Sequence, residues 1–506
     1  MSTEAMVSPP PERMLLRRWP QLYLYGWYAA LLVSLVLGFY GRPLVAAAVL
    51  GLATVFSFTR WLVRWPTILT TLILCVLLIP ASIYKLPASL PIDVELYRLV
   101  VFVLFGMWAV ALLTDPAVRL RRTFLDRLFL LAAIAFVVSF VANLADFEPT
   151  LEYSQSAKGL FYVLTFIILY YCLVSIVRDN ALATRLVHTI VYVTAVLAVL
   201  AMFERITGYN PFRHLNEFIP VLEPSALEVA ATELRGGLRV AGSAAHPIAF
   251  GTMLGLVLPL PIEFLLESKR MVERVKWGTI SVVVMVAMLL TVSRTAFLAI
   301  VATLVALAFT RPKQRWVLVL SAIVAAVAIH MFFPGVVGRF IDNLTPSNVV
   351  SRELSTRAGR LADYPFIIAE WSRKPLLGRG VGTFTHQRFF YVDNQYLKYL
   401  VEGGLFGLVS MVLLFFGSAA ALMRRGGRIG GHAGAIVAAT GIGALVFGLA
   451  NLTFDAQGFP QVPYLFYILT ALGVAVALNC ADDARAASVA QGTTAPTAAT
   501  EPVMTP

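Results

Sequence analysis

Charge is scarce in this chain. Only 13% of its 506 residues are Asp, Glu, Lys or Arg, whereas 59% are hydrophobic and the mean hydropathy is +0.80. A soluble domain carries roughly 25% charged residues, so a water-soluble globule is excluded. Cysteine is equally sparse. Cys75, Cys172 and Cys480 all fall in apolar runs with neither metal-ligand spacing nor a disulfide framework. The six histidines show no zinc-like spacing, and no Walker A motif or Asp-x-Asp pair is present. An ATP-driven pump and a metal-bound nucleotide-sugar transferase are therefore both unsupported, and no metal or other cofactor is expected. No internal repeat is evident, which weakens a transporter built from two related halves.

What the chain does have is long uncharged runs. They lie near 21–40, 43–58, 67–84, 98–114, 127–145, 159–177, 185–203, 247–266, 277–293, 295–310, 316–333, 396–422, 433–452 and 461–480. A helical crossing needs ~20 such residues, and continuous runs exclude a barrel of alternating strands. The stretch 277–310 is too long for one helix and is split into a hairpin at Ser293-Arg294. The expected fold is an all-α integral membrane protein of about fourteen transmembrane helices. No cleavable signal peptide is evident, because the first run follows a 20-residue polar leader and is long enough to anchor.

Basic residues fix the expected orientation. Alternate short loops carry Arg60 and Arg64; Arg119, Arg121 and Arg122; Arg178 and Arg185; Lys269, Arg270, Arg274 and Lys276; Arg311, Lys313 and Arg315; and Arg424, Arg425 and Arg428. Cytoplasmic loops are rich in Lys and Arg, so the formal net charge of +12 needs no nucleic-acid partner, and both termini are expected in the cytoplasm. The organisation is then a leader (1–20), N-terminal transmembrane helices (21–203), a first large outer loop (204–246), transmembrane helices (247–333), a second large outer loop (334–395), C-terminal transmembrane helices (396–480) and a disordered cytoplasmic tail (481–506).

Loops longer than ~12–15 residues are usually functional or disordered, and these two contain aromatic and proline residues such as Tyr209-Asn210-Pro211-Phe212 and Asp363-Tyr364-Pro365-Phe366. They are also rich in arginine: Arg205, Arg213, Arg235 and Arg239 in the first, Arg339, Arg352, Arg357, Arg360, Arg373, Arg379 and Arg388 in the second. Guanidinium forks bind phosphate oxygens in bidentate fashion, although ordinary solvated loop charge is the plain alternative. Arg239 precedes Gly242, His246 and Pro247 at a helix start, where an anion is favoured. Arg294 sits at the hairpin tip, and an ionisable group at membrane depth marks a functional candidate unless it snorkels to headgroups.

The run Gly378-Arg379-Gly380-Val-Gly382 does not open a helix after a strand, so it is no dinucleotide site. It leads to Asp393-Asn394-Gln395-Tyr396, where Asn394 suits an N-cap. Further on, Glu402 is expected to pair with Lys398 at i,i+4 or to serve as a base toward a sugar hydroxyl. Glu263, the main charge inside an apolar run, has candidate partners in Lys269 and Arg270.

Taken together, Gly-Leu-Arg239-Val-x-Gly242 with His246-Pro247, Ser293-Arg294-Thr-Ala296, Pro375-Leu-Leu-Gly378-x-Gly380-x-Gly382, and Asn394-x-Tyr396-Leu with Glu402-Gly-Gly404-Leu-x-Gly407 resemble the O-antigen ligase and polymerase superfamily of bacterial membrane glycosyltransferases. The resemblance is strongest over about residues 200–455; the first 200 residues match only as generic membrane helices. It implies a donor glycan on a polyprenyl (undecaprenyl-type) pyrophosphate, an acceptor glycan or glycolipid, and a site facing outward from the bacterial inner membrane. It further implies a flippase and chain-length regulator proteins as partners. The implied pyrophosphate ligands are Arg239, Arg294, Arg379 and Arg357. His246, Asn394, Tyr396, Glu402, Gly378 and Gly380 would support the cleft. Ligases of this family carry His-Asn where this chain has Asp393-Asn394. The acceptor base would then be Asp393 or His386, and the departure tilts the reading toward a polymerase over a lipid A-core ligase. A polysaccharide or lipid transporter remains the reading from another class, disfavoured because polar residues gather at the outer mouth.

Overall fold

The computed structural model describes residues 64–86, 95–116, 118–147, 151–219, 222–224, 239–320, 323, 327, 364–385, 388–390 and 392–492, the last four without side chains. The runs at 21–40 and 43–58 lie outside them, as do Arg235, Arg339, Arg352, Arg357, Arg360 and His386.

The described chain is almost all helix: α1 (Trp65–Leu78), α2 (Leu96–Thr114), α3 (Asp126–Ala142), α4 (Glu152–Ile176), α5 (Asn180–Thr207), α6 (Pro247–Val257), α7 (Pro259–Glu267), α8 (Met271–Leu290), α9 (Arg294–Thr310), α10 (Tyr364–Ser372), α11 (Gln395–Ile429), α12 (Gly431–Ala450) and α13 (Gln461–Gly492). Among the described residues, seven helices are long and apolar enough to cross a bilayer, counting α6 and α7 as one, or up to eight if α9 and Pro312–Leu320, bent by 112°, form one span. The fold is that of an all-α membrane protein.

Local chemistry sets the ends of these helices. Asp179 caps α5 by accepting from the N–H groups of Ala181 and Leu182, and Gly208 closes it in the left-handed region at φ 75°. At ~1.5 Å per residue, the 28-residue α5 runs ~42 Å. Pro259 and Pro261 separate α7 from α6. The run 277–310 breaks at Thr291–Ser293. Val292 there has φ 48°, which a β-branched residue rarely adopts.

The core consists of α6, α7, α12 and the apolar part of α13, which are mostly buried, while α2 and α5 present a lipid-facing side with Leu113 and Val196 exposed. Small residues let the central helices approach. A Cβ on Gly441 of α12 would stand 2.8 Å from the Met423 nitrogen of α11. Aromatic side chains fill the space beside α13, with Phe129 stacked on Tyr170 and Phe166 on Tyr467. Buried Glu263 is clamped by Arg311 at 2.8 Å, not by Lys269 or Arg270. The partner from 48 residues away prevails because Arg311 closes α9 beside α7 and also reaches Glu267. The three cysteines are free.

Part of the first large loop is folded against the end of α1. Tyr84–Lys85 pairs antiparallel with Glu223–Pro224, and the Tyr84 hydroxyl donates to the Phe212 carbonyl while accepting from the Leu215 N–H.

Candidate active site

At one end of the bundle four segments converge on the connection between α12 and α13, residues 451–461. The Gln395 N–H at the start of α11 donates to the Asn451 carbonyl, and Thr295 at the start of α9 bonds Thr453, oxygen to oxygen, at 2.6 Å. Lys398 meets Asp455 at 2.9 Å. The His246 ring lies 5.7 Å from that of Phe459. The Gln461 amide donates to the carbonyls of Val76, Ile79 and Ser243, tying in α1 and the segment before α6. Asp455 also accepts from the Gly458 N–H, so the connection is braced internally.

Arg239 and Arg294, 55 residues apart, are both placed at the turn before α9. Arg239 is 8% exposed and its Nε donates to the Thr291 carbonyl at 3.2 Å, while Arg294 is the first residue of α9, three positions on. The segment carrying Arg239 is held by buried Glu204, which accepts from the N–H groups of Ala241 and Gly242. The Asn210 amide donates to the Gly242 carbonyl. Nearby, Arg213 donates to the Ala245 carbonyl; burial pushes its guanidinium down and the Glu204 carboxylate opposes that. His246 caps α6 through Nδ1, which accepts from the Ile248 N–H. A neutral His246 therefore carries its proton on Nε2.

Beside this hub lies the Gly-rich loop, which packs on a break in α11. α11 is broken at Gly404, with φ 64° and ψ −165°. A break at membrane depth frees main-chain groups that lipid cannot satisfy. The loop satisfies them. Arg379 and Gly380 donate their N–H groups to the carbonyls of Val401 and Glu402, and Leu405 and Phe406 donate to those of Pro375 and Leu376. The approach is so close that a Cβ on Gly404 would sit 2.3 Å from the Leu376 carbonyl, and one on Gly378 2.5 Å from that of Glu402. Asn143 and Ser139 of the α3 region seal the contact by donating to the carbonyls of Gly378 and Glu402. Glu402, 3% exposed, accepts from the Phe384 N–H at 3.1 Å. The expected Glu402–Lys398 ion pair is replaced by two longer-range bonds, Glu402 to the loop and Lys398 to Asp455.

Arg379 is enclosed by carboxylates. It meets Glu370 of α10 at 2.6 Å and Glu152 of α4 at 2.8 Å, with its guanidinium 4.7 Å from the centre of the Phe389 ring. Arg388 joins Glu152 from the other side. Asn394 is the N-cap of α11, accepting from the Tyr396 N–H, and the Tyr396 hydroxyl donates to the Gly448 carbonyl, anchoring α11 on α12. Asp393 is exposed at this mouth, beside the cap. The candidate base His386 and the candidate ligand Arg357 lie outside the described residues.

Lys398, Asp455, Gln461 and Glu204 were not singled out by sequence as members of one site. Their only signal was polarity: Asp455 lies in a short gap between apolar runs, Lys398 and Gln461 at the starts of the runs 396–422 and 461–480, and Glu204 at the start of the first large loop. Among the described residues no group of three or more His, Cys, Asp or Glu is placed to hold a metal ion.

These features define a multi-pass membrane protein with a polar, arginine-bearing site at one end of its helices. A family model described as O-antigen ligase matches residues 279–412, from α8 through the Gly-rich loop into α11. The match supports the O-antigen ligase and polymerase superfamily that the motifs resemble, and with it a membrane glycosyltransferase of that type. It takes in Arg294, Arg379, Asn394, Tyr396 and Glu402, while Arg239, His246 and Asp455 fall outside it. No curated protein matches the chain.

Proposed function

We propose that this protein transfers a glycan from a polyprenyl-pyrophosphate carrier to an acceptor sugar hydroxyl, polymerising the repeat units of an exopolysaccharide, capsule or O-antigen at the outer face of the bacterial inner membrane. The topology that goes with this reading has about fourteen crossings, cytoplasmic termini and the loops 204–246 and 334–395 outside. In the reaction the acceptor oxygen loses its proton to a base and bonds to the anomeric carbon. The bond from that carbon to the phosphate oxygen breaks, and the polyprenyl pyrophosphate leaves with the electron pair. Charge grows on the leaving group, so cations held in place there act where the barrier is highest.

The observation that carries this reading is the seating of Arg239 on the Thr291 carbonyl of the turn from which Arg294 opens α9, a turn joined to the 451–461 connection through Thr295 and Thr453. We assign the pyrophosphate to Arg239 and Arg294, with Arg357 as a further candidate. Arg379 is reassigned from ligand to framework, because Glu370 and Glu152 occupy its fork. Asp393 is the candidate base, with His386 in reserve. His246, Asn394, Tyr396 and Glu402 support the cleft through main-chain and inter-helix bonds.

A ligase that attaches glycan to lipid A-core is the second reading, favoured by the description of the matched family. The test is to incubate purified protein with a polyprenyl-pyrophosphate oligosaccharide alone and separate the glycolipids on a gel. A ladder of longer chains supports the polymerase. Transfer only after lipid A-core is added supports the ligase. No transfer under either condition by folded protein contradicts both.

A further inference from the structure

At the end of α5 remote from the active site, a cleft of about 640 Å³ is lined by Asn180, Thr184, Arg185, His188, Thr189 and Tyr192. We propose that it binds a glycerophospholipid whose headgroup carries both a phosphate and a terminal hydrogen-bond donor. The chemistry is ordered along the helix as it is ordered along such a lipid. Asn180 stands at the rim. At ~1.5 Å per residue, Arg185 follows ~7.5 Å further along the helix and Tyr192 ~18 Å further. The Asn180 amide nitrogen contacts Cys480 Sγ, and its Oδ1 is a buried acceptor without a partner, the group that would take a headgroup hydroxyl or ammonium. Arg185 is exposed and has no carboxylate partner among the described residues, leaving its fork for the phosphate. His188 lines the same wall, and its Nε2 likewise lacks a partner. Tyr192, stacked on Trp277 with their rings 5.7 Å apart, offers an apolar face to the upper part of an acyl chain.

The surroundings are basic. Arg178 lies just before the cleft, donating to the carbonyls of Ser175 and Arg119, and Lys276 lies over the Trp277 ring. Three of the nearby carboxylates are engaged elsewhere. Asp179 caps α5, Glu273 pairs with Lys276, and Asp482 pairs with Arg121. The helix N-terminus is thus satisfied by its own aspartate, and side chains along α5 make the site. Acyl chains suit the setting, since the cleft opens on a helix whose outer face already meets lipid.

The test is native mass spectrometry on delipidated, purified protein given phosphatidylglycerol, phosphatidylethanolamine, phosphatidylcholine or inorganic phosphate. Phosphatidylglycerol and phosphatidylethanolamine should be retained. Phosphatidylcholine has a phosphate but no terminal donor, and should bind less. Arg185→Gln should weaken phosphatidylglycerol by about tenfold, while Arg274→Gln, an exposed arginine on α8, should not. Because Arg185 is exposed, the variant should melt like the parent without lipid, so lost binding reports the site. Equal retention of phosphatidylcholine, or unchanged binding by Arg185→Gln, overturns the proposal. Inorganic phosphate that binds as tightly as the lipid overturns it too, in favour of a free-anion site.

Discussion

Two arginine-bearing regions sit a few turns apart, and they use the same side chain differently. In the Gly-rich region, Arg379 holds Glu370 and Glu152 and thereby fastens α10 and α4 to the loop that repairs the break in α11. In the hub, Arg239 donates through Nε to a main-chain carbonyl at a hairpin tip and brings its guanidinium beside the start of α9. A guanidinium gripped by two carboxylates is part of the scaffold. One seated on the main chain of a strained turn, with Val292 at φ 48°, is placed with accuracy, and strain of this kind gathers at functional sites. An arginine-rich loop alone does not tell the two uses apart; their partners do.

The comparison can be broken from either side. The largest effect on activity is expected at the hub. Arg239→Ala or Arg294→Ala should lower glycan transfer by about 100-fold or more, with protein abundance in the membrane unchanged. Lysine at either position should recover only part, because it keeps the charge and loses the fork. Full activity in either alanine variant contradicts the assignment. Next comes Gly404→Ala, which adds a Cβ 2.3 Å from the Leu376 carbonyl at a positive φ. The backbone strain is about 1–3 kcal/mol before the clash is counted, so melting in detergent should drop sharply. Gly427→Ala on the same helix, where a Cβ meets nothing within 4 Å, should melt at or above the parent temperature.

Arg379→Gln should act on stability more than on chemistry, costing about 1–3 kcal/mol because Glu152 and Glu370 each lose the inner of two arginine partners and keep only Arg388 and Arg373. A double-mutant cycle with Glu152→Gln should return a positive coupling energy, and a value of zero means the pair is a surface accident. The smallest effect is expected for Thr295→Val. It removes one hydrogen bond between α9 and the 451–461 connection, worth about 0.5–1.5 kcal/mol in the melt. A larger fall in transfer than in stability would mark that contact as positioning Arg294.

Much of the architecture was legible in the sequence. The apolar runs from 67 onward each contain a helix where residues are described, although in the run 67–84 the helix stops at Leu78 and the chain turns into the strand at Tyr84, and the break before Arg294 follows from length alone. The N-cap at Asn394 was readable too, since capping is local. Side-chain pairing was not. A pattern of i,i+4 charges suggested Lys398 with Glu402, and proximity suggested Lys269 or Arg270 for Glu263. In each case a partner from another segment of the chain prevailed, 57 and 48 residues away. At membrane depth a buried charge takes whichever counter-charge the packing brings to it. The Gly-rich run was hard to interpret for a related reason. Its glycines serve a break in a helix that begins 17 residues downstream of Gly378, and nothing local in the run announces it. The 451–461 connection carries no motif at all; its importance lies in how many distant segments end upon it.

The central claim is that Arg239 and Arg294 hold the pyrophosphate and Arg379 does not. Its most direct test is a binding titration of purified parent, Arg239→Gln, Arg294→Gln and Arg379→Gln proteins with a polyprenyl pyrophosphate that carries no sugar. The account predicts that the first two variants bind about tenfold more weakly or worse, while Arg379→Gln binds like the parent despite a lower melting temperature. Parent-like binding by Arg239→Gln and Arg294→Gln, with loss confined to Arg379→Gln, would contradict it and move the site to the Gly-rich region.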